Sequence, residues 1–149
     1  MAVRVQEADF DIGAEIDALT RGRADIGAVA TFTGLVREVA PEGGAMTLEH
    51  YPGMTEKALA EIEAEARRRW MLSGVTIIHR VGRLASGDRI VLVVAASRHR
   101  AAAFEAAQFL MDYLKTRAPF WKKEESAAGA AWVDARESDD AAAARWERA

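Results

Sequence analysis

Residues 75–96 read VTIIHRVGRLASGDRIVLVVAA. Val75 to Leu84 is a β-branched run that predicts a strand, and Ser86-Gly87-Asp88 is a tight turn. Arg89 to Ala96 is apolar throughout rather than alternating, which predicts a strand buried on both faces. A strand, a turn and a strand folding back make an antiparallel pair. That pairing favours an α+β fold with mainly antiparallel strands over a doubly wound parallel sheet.

Toward the N-terminus, Val3 and Val5 predict a short strand, and Asp11 caps a short helix carrying Ile12, Ile16 and Leu19. Gly27 to Thr33 (GAVATFT) predicts a strand that Gly34 ends or bulges. Glu38 to Ala45, with Pro41 and two glycines, predicts a mobile loop before a strand at Met46 to Tyr51. After the Pro52-Gly53 turn, Thr55 is expected to cap a helix running to about Trp70. Its inner stripe is Leu59, Ile62 and Ala66, and Glu63–Arg67 and Glu65–Arg69 pair outside.

Toward the C-terminus, a long helix is predicted from about His99 to Thr116, because Pro119 disfavours helix at Ala118. Phe120 to Glu124 is extended, and Ser126 to Gly129 loops into a short Ala131–Val133 segment. The tail from Asp134 is either a helix anchored by Trp146 or a frayed terminus. No linker or internal repeat divides the 149 residues, so a single domain over 1–149 is expected.

Composition removes several chemistries. Cysteine is absent, which excludes disulfides, a thiolate nucleophile, a persulfide carrier, Cys-ligated zinc and iron–sulfur clusters. The formal charge of -3 offers no bulk field for nucleic acid or anionic membrane. No apolar run reaches the roughly 20 residues of a membrane span, and a cytoplasmic protein is expected. Phosphate-loop motifs and HExxH are missing, and His50, His79 and His99 are far apart in sequence. No metal is expected, and His50 and His79 in strands read as hydrogen-bonded structural histidines.

The twenty basic residues are sixteen Arg and four Lys: Lys57, Lys115, Lys122 and Lys123. Three of the four fall between 115 and 123. Arg stays protonated, whereas a desolvated Lys can act as base or nucleophile. Lys115-Thr116-Arg117-Ala118-Pro119-Phe120-Trp121-Lys122-Lys123 sets four cations around a Pro-aromatic turn. It is either an anion-binding, lysine-tuning site or a basic surface turn whose aromatics face the core, and the residues alone leave both open. Arg100, Phe104, Ala107, Met111 and Lys115 share one helix face, a stripe that core packing would also explain. Fifteen residues of helix span about 22 Å, so Arg100 and Lys115 of one chain cannot grip one small substrate. A site using both needs two copies, most simply a symmetric dimer.

TFTGLVR (31–37), LEHYPGMTEKAL (48–59), IHRVG (78–82), SRHR (97–100) and AFEA (103–106) through MDYLKTRAPFWK (111–122) resemble the catalytic, or large, subunits of molybdopterin synthase. The resemblance spans nearly the whole chain and implies an α/β-hammerhead type of fold with an additional small sheet. It implies a sulfurtransferase that converts cyclic pyranopterin monophosphate (precursor Z) to molybdopterin, with no cofactor of its own. Sulfur comes from the thiocarboxylated C-terminal glycine of a small ubiquitin-like carrier subunit. The implied assembly is a homodimer within a heterotetramer. By position, Lys115 and Lys122 match the catalytic lysines. Arg37, His99, Arg100 and Arg136 match an anionic substrate pocket flanked by Leu35, Val36, Lys123 and Glu124, with Phe32 and Met111 as apolar wall. Rival readings are a non-catalytic module capturing the tail of a ubiquitin-like protein, and a Schiff-base lysine enzyme.

Overall fold

The computed structural model describes residues 2–37, 44–126, 129–133 and 137–148. Two four-stranded sheets organise it. In the first, β1 (Val3–Gln6), β4 (Leu72–Arg80), β6 (Arg89–Ser97) and β2 (Ala28–Leu35) lie in the order β1-β4-β6-β2. The β1–β4 pair is parallel and the others are antiparallel. In the second, β5 (Gly82–Ala85), β3 (Ala45–His50), β7 (Phe120–Ser126) and β8 (Gly129–Val133) lie in the order β5-β3-β7-β8, antiparallel throughout. The α+β class with mainly antiparallel strands and an added sheet is what the chain forms.

The unbroken apolar run of β6 follows from burial on both faces. Val91, Val93 and Ala95 face α2 (Met54–Arg69) and α3 (Arg100–Arg117), together with Val75 and Ile77 of β4. Leu92 and Val94 face the other way, onto Phe10 and onto Ile12 and Leu19 of the α1 region (Ile12–Thr20). A third cluster, Val36, Met46, Leu48 and Leu84, fills the space under the second sheet.

The segment expected as one strand from Val75 to Leu84 is two. At Gly82 the backbone turns to φ +91°, a left-handed conformation that side chains disfavour. The chain there leaves the first sheet and joins the second as β5. The Ser86-Gly87-Asp88 turn forms as expected, with the Ala85 amide donating to Asp88 Oδ2 at 2.8 Å. The expected bulge at Gly34 is present as a register shift between Gly34 and Leu35.

Asp11 caps α1, accepting from the Ala14 amide at 3.0 Å. Thr55 does not cap α2. The cap is Gly53, whose amide donates to the Glu56 carboxylate at 3.1 Å. Thr55 is fully buried and its hydroxyl serves a distant segment. Leu59, Ile62 and Ala66 are the inner stripe of α2, and both predicted ion pairs form on its outer face.

On α3 the buried residues are Ala103, Ala106, Ala107, Phe109, Leu110, Met111, Tyr113 and Leu114. That face is rotated about 100° from the Arg100–Lys115 stripe. Core packing therefore accounts for Ala107 and Met111 but not for Phe104, which is 66% exposed. The tail is helical: α4 (Glu137–Ala144) leads into a 3-10 turn, Arg145–Arg148. The Trp146 ring packs edge-on against Trp70 and Phe109 at 5.5 and 5.6 Å, and its indole N–H donates to Asp112 Oδ2 at 2.7 Å. Of the expected 38–45 loop, residues 38–43 lie outside the described residues, and Ala45 already belongs to β3.

Candidate active site

Leu114 ends the buried run of α3, and Lys115 stands one residue on, exposed in the last turn. A cation there complements the negative end of the helix dipole. Ala118 leaves the helix in an extended conformation, and Pro119 then carries the chain into β7. The turn is tied from outside: Thr55 Oγ1 donates to the Pro119 carbonyl at 2.9 Å and accepts from the Tyr51 amide at 2.9 Å.

Along β7, Phe120, Lys122 and Glu124 share one face by strand alternation. Lys122 lies opposite Leu48 on β3 and Val133 on β8 and is half-buried; Glu124 is exposed. Trp121 and half-buried Lys123 take the other face. There an open groove of about 400 Å³ is lined by Glu49, His50, Tyr51, Pro52 and Trp121. Sequence reasoning missed this groove.

His79 closes the site from the first sheet. It is buried, stacks on Phe120 with centroids 3.8 Å apart, and has Nδ1 2.8 Å from the Arg80 carbonyl. Burial pushes its pKa down to about 3. The Lys115 and Lys122 ammonium groups act in the same direction, against the Arg80 hydrogen bond. The ring is neutral, and both lysines lie within electrostatic reach of it. The structural, hydrogen-bonded role read for His79 from its strand is the one it has.

Lys115 of α3 and Lys122 of β7 thus both act electrostatically on the same buried ring. Leu35 pairs with Arg89 at the start of β6, whereas Ala28 pairs with Ser97 at its end. Since α3 leaves from the Ser97 end and packs back over β6 and β2, Leu35 and Arg37 come to the same end of the sheet as Lys115. Both are exposed. Val36 is 2% exposed, and its backbone groups are bonded to Asp88 and Gly87. Phe32 is half-exposed on β2, and Met111 is buried one turn before Lys115. His99 and Arg100 are exposed at the opposite end of α3, about 22 Å along its axis from Lys115. Arg136 lies outside the described residues. Arg117 is occupied elsewhere, 3.9 Å over the Tyr113 ring and paired with Glu147. Among the described residues no group of three or more His, Asp or Glu side chains is placed to hold a metal ion. No helix among them is long and apolar enough to cross a membrane.

The MoaE protein family matches residues 5–117, three quarters of the chain. The chain belongs to this family. A molybdopterin synthase catalytic subunit from Mesorhizobium japonicum is 59% identical over 147 residues, covering 97% of this chain and 92% of the relative. The solved molybdopterin biosynthesis MoaE protein of Burkholderia ambifaria superposes with a TM-score of 0.83 at 55% identity, covering 98% of both chains. Molybdopterin synthase from Staphylococcus aureus gives a TM-score of 0.79 at 30% identity, over 87% of this chain and 95% of that one. The family match ends at Arg117, at the close of α3. Lys122 and the second half of the site lie beyond it, in the part covered by the longer likenesses.

Proposed function

We propose that this MoaE family chain is the catalytic subunit of a molybdopterin synthase, acting as one domain in the cytoplasm. It would convert cyclic pyranopterin monophosphate to molybdopterin with sulfur from the C-terminal thiocarboxylate of a small ubiquitin-like carrier. The observation that supports this reading best is that Lys115 and Lys122, from different elements, both lie within electrostatic reach of a neutral, buried His79. Two ammonium groups on a rigid, partly apolar wall suit a carboxyl-derived anion and a phosphate.

In this reading the carrier sulfur attacks a side-chain carbon of the bound pyranopterin, and the cyclic phosphate opens as the C–S bond forms. Water then cleaves the carrier's acyl–sulfur bond, releasing the carrier as a carboxylate and leaving sulfur on the pterin. A second carrier delivers the second sulfur to the neighbouring oxygen-bearing carbon, whose oxygen leaves as water, and hydrolysis of its acyl–sulfur bond releases that carrier as a carboxylate too. Lys115 stabilises the thiocarboxylate and the acyl group as it is hydrolysed. Lys122 moves a proton or holds the opened phosphate. Arg37 contributes from the same end of the sheet. Arg100 and His99 are too far along α3 to join from the same chain, so they are supplied by the second copy of a homodimer, with one carrier at each end. Phe32 and Met111 are the apolar wall, Leu35, Val36, Lys123 and Glu124 supply flanking contacts, and Arg136 is a further substrate-binding cation.

The test combines the purified chain with thiocarboxylated carrier and precursor and assays molybdopterin. Wild type forms product and Lys115→Ala does not; near-normal turnover by that variant refutes the assignment. If Arg37→Ala and Arg100→Ala both keep full activity, the chain only captures the carrier tail.

A further inference from the structure

His79 takes no chemical part in the proposed reaction, yet it is buried within electrostatic reach of both lysines and stacked on Phe120. Its strand is locked on both sides, His79 pairing with Val5 of β1 and Val91 of β6. The Arg80 carbonyl can only accept, so Nδ1 carries the hydrogen and Nε2 a lone pair. The charged or titratable groups within electrostatic reach of the ring are Lys115 of α3, Lys122 of β7 and His50 of β3. Phe120, on which the ring stacks, is the first residue of β7. Lys122 follows two residues later on the same face, about 7 Å along the strand. The preceding residue, Pro119, is the one that Thr55 holds through its carbonyl. The link between the two lysines is therefore gripped at consecutive residues, by Thr55 from α2 and by His79 from the first sheet.

We infer that His79 is a positioning residue for the lysine pair: its stacked, buried ring fixes Phe120, and through Phe120 sets where Lys122 stands relative to Lys115. The inference rests on the proposed roles of the two lysines. A flat ring suffices for this task, so phenylalanine should replace histidine and a branched aliphatic residue should not. Once the stack is lost, β7 can shift at its first residue, and Lys122 shifts with it.

The test compares wild type, His79→Leu, His79→Phe, Lys122→Ala and the His79→Leu/Lys122→Ala double variant in the carrier-dependent assay. Displacing a catalytic group by about 1 Å can cost about 100-fold, so His79→Leu should lower kcat by about 10- to 100-fold. KM for the precursor should stay within about twofold, and His79→Phe should keep at least about half of kcat. In the Lys122→Ala background, His79→Leu should cost less than about twofold more, because the residue acts through Lys122. Equal losses in both backgrounds, or a His79→Leu kcat within about twofold of wild type, overturn the inference. A wild-type chain that forms no product refutes the functional reading instead. The positioning claim is then decided by competitive acetylation read by mass spectrometry, with exposed Lys57 as internal reference. His79→Leu should raise Lys122 labelling by about threefold or more as the strand start loosens; unchanged labelling overturns the claim.

Discussion

Replacing Thr55 by valine keeps the shape of a fully buried side chain but removes two hydrogen bonds at once. The Pro119 carbonyl loses its donor and the Tyr51 amide loses its acceptor. A buried polar group left unpaired costs about 1–3 kcal/mol, so the two together cost about 4. The added methyl returns about 1 kcal/mol of apolar burial. The net loss is about 3 kcal/mol, which for a chain of this size lowers Tm by about 6–12 °C. Thr55→Ser keeps both bonds and gives up one methyl, about 1 kcal/mol. Urea denaturation at neutral pH separates the cases, since both variants share the same backbone and burial. Thr55→Val should also lose turnover beyond its loss of stability, because the turn carrying Lys115 to Lys122 is no longer tied. If Thr55→Val is as stable as Thr55→Ser, the hydroxyl does not hold Pro119 and the reasoning fails.

Acid should weaken the fold through His79. Its pKa is about 3 in the native state and near 6.5 unfolded, so between these values the unfolded chain binds a proton that the folded chain refuses. Stability then falls as pH drops, by about 2 kcal/mol from about pH 6.5 to about pH 4.5. Urea titrations of His79→Phe over the same range should lack this component; identical slopes would contradict the buried neutral ring. Trp146→Ala should cost about 2–3 kcal/mol, less than a full core truncation because the indole is half-buried. It also leaves Asp112 without its indole donor, and a chemical-denaturation midpoint unchanged from wild type would show that the tail adds nothing.

Much of this was legible in the residues themselves. Length of run and β-branching located the strands, and Asp11 capped where a carboxylate should. The three clustered lysines pointed to the candidate site because the chain otherwise uses arginine for positive charge. What stayed hidden was set by distant contacts. Thr55 sits where a helix cap belongs, and only Pro119, sixty-four residues later, explains why its hydroxyl turns inward. Gly82 falls inside the segment read as a single strand from Val75 to Leu84, and its left-handed backbone, where the chain changes sheets, has no sequence signature distinct from a bulge. Phe104 fitted the helix stripe, but the rotation of α3 about its axis is decided by the sheet beneath it. His79 read correctly as a hydrogen-bonded histidine; that its ring reaches Phe120 depends on two sheets meeting.

Gly82 has a consequence for the site. The chain passes from the first sheet to the second there and does so again at Pro119, so that Lys115 is carried by a helix seated on the first sheet and Lys122 by a strand of the second. The gap between the two ammonium groups is in effect a gauge of how the sheets are set against each other. A ligand that spans that gap would be sensed by both layers of the molecule at once.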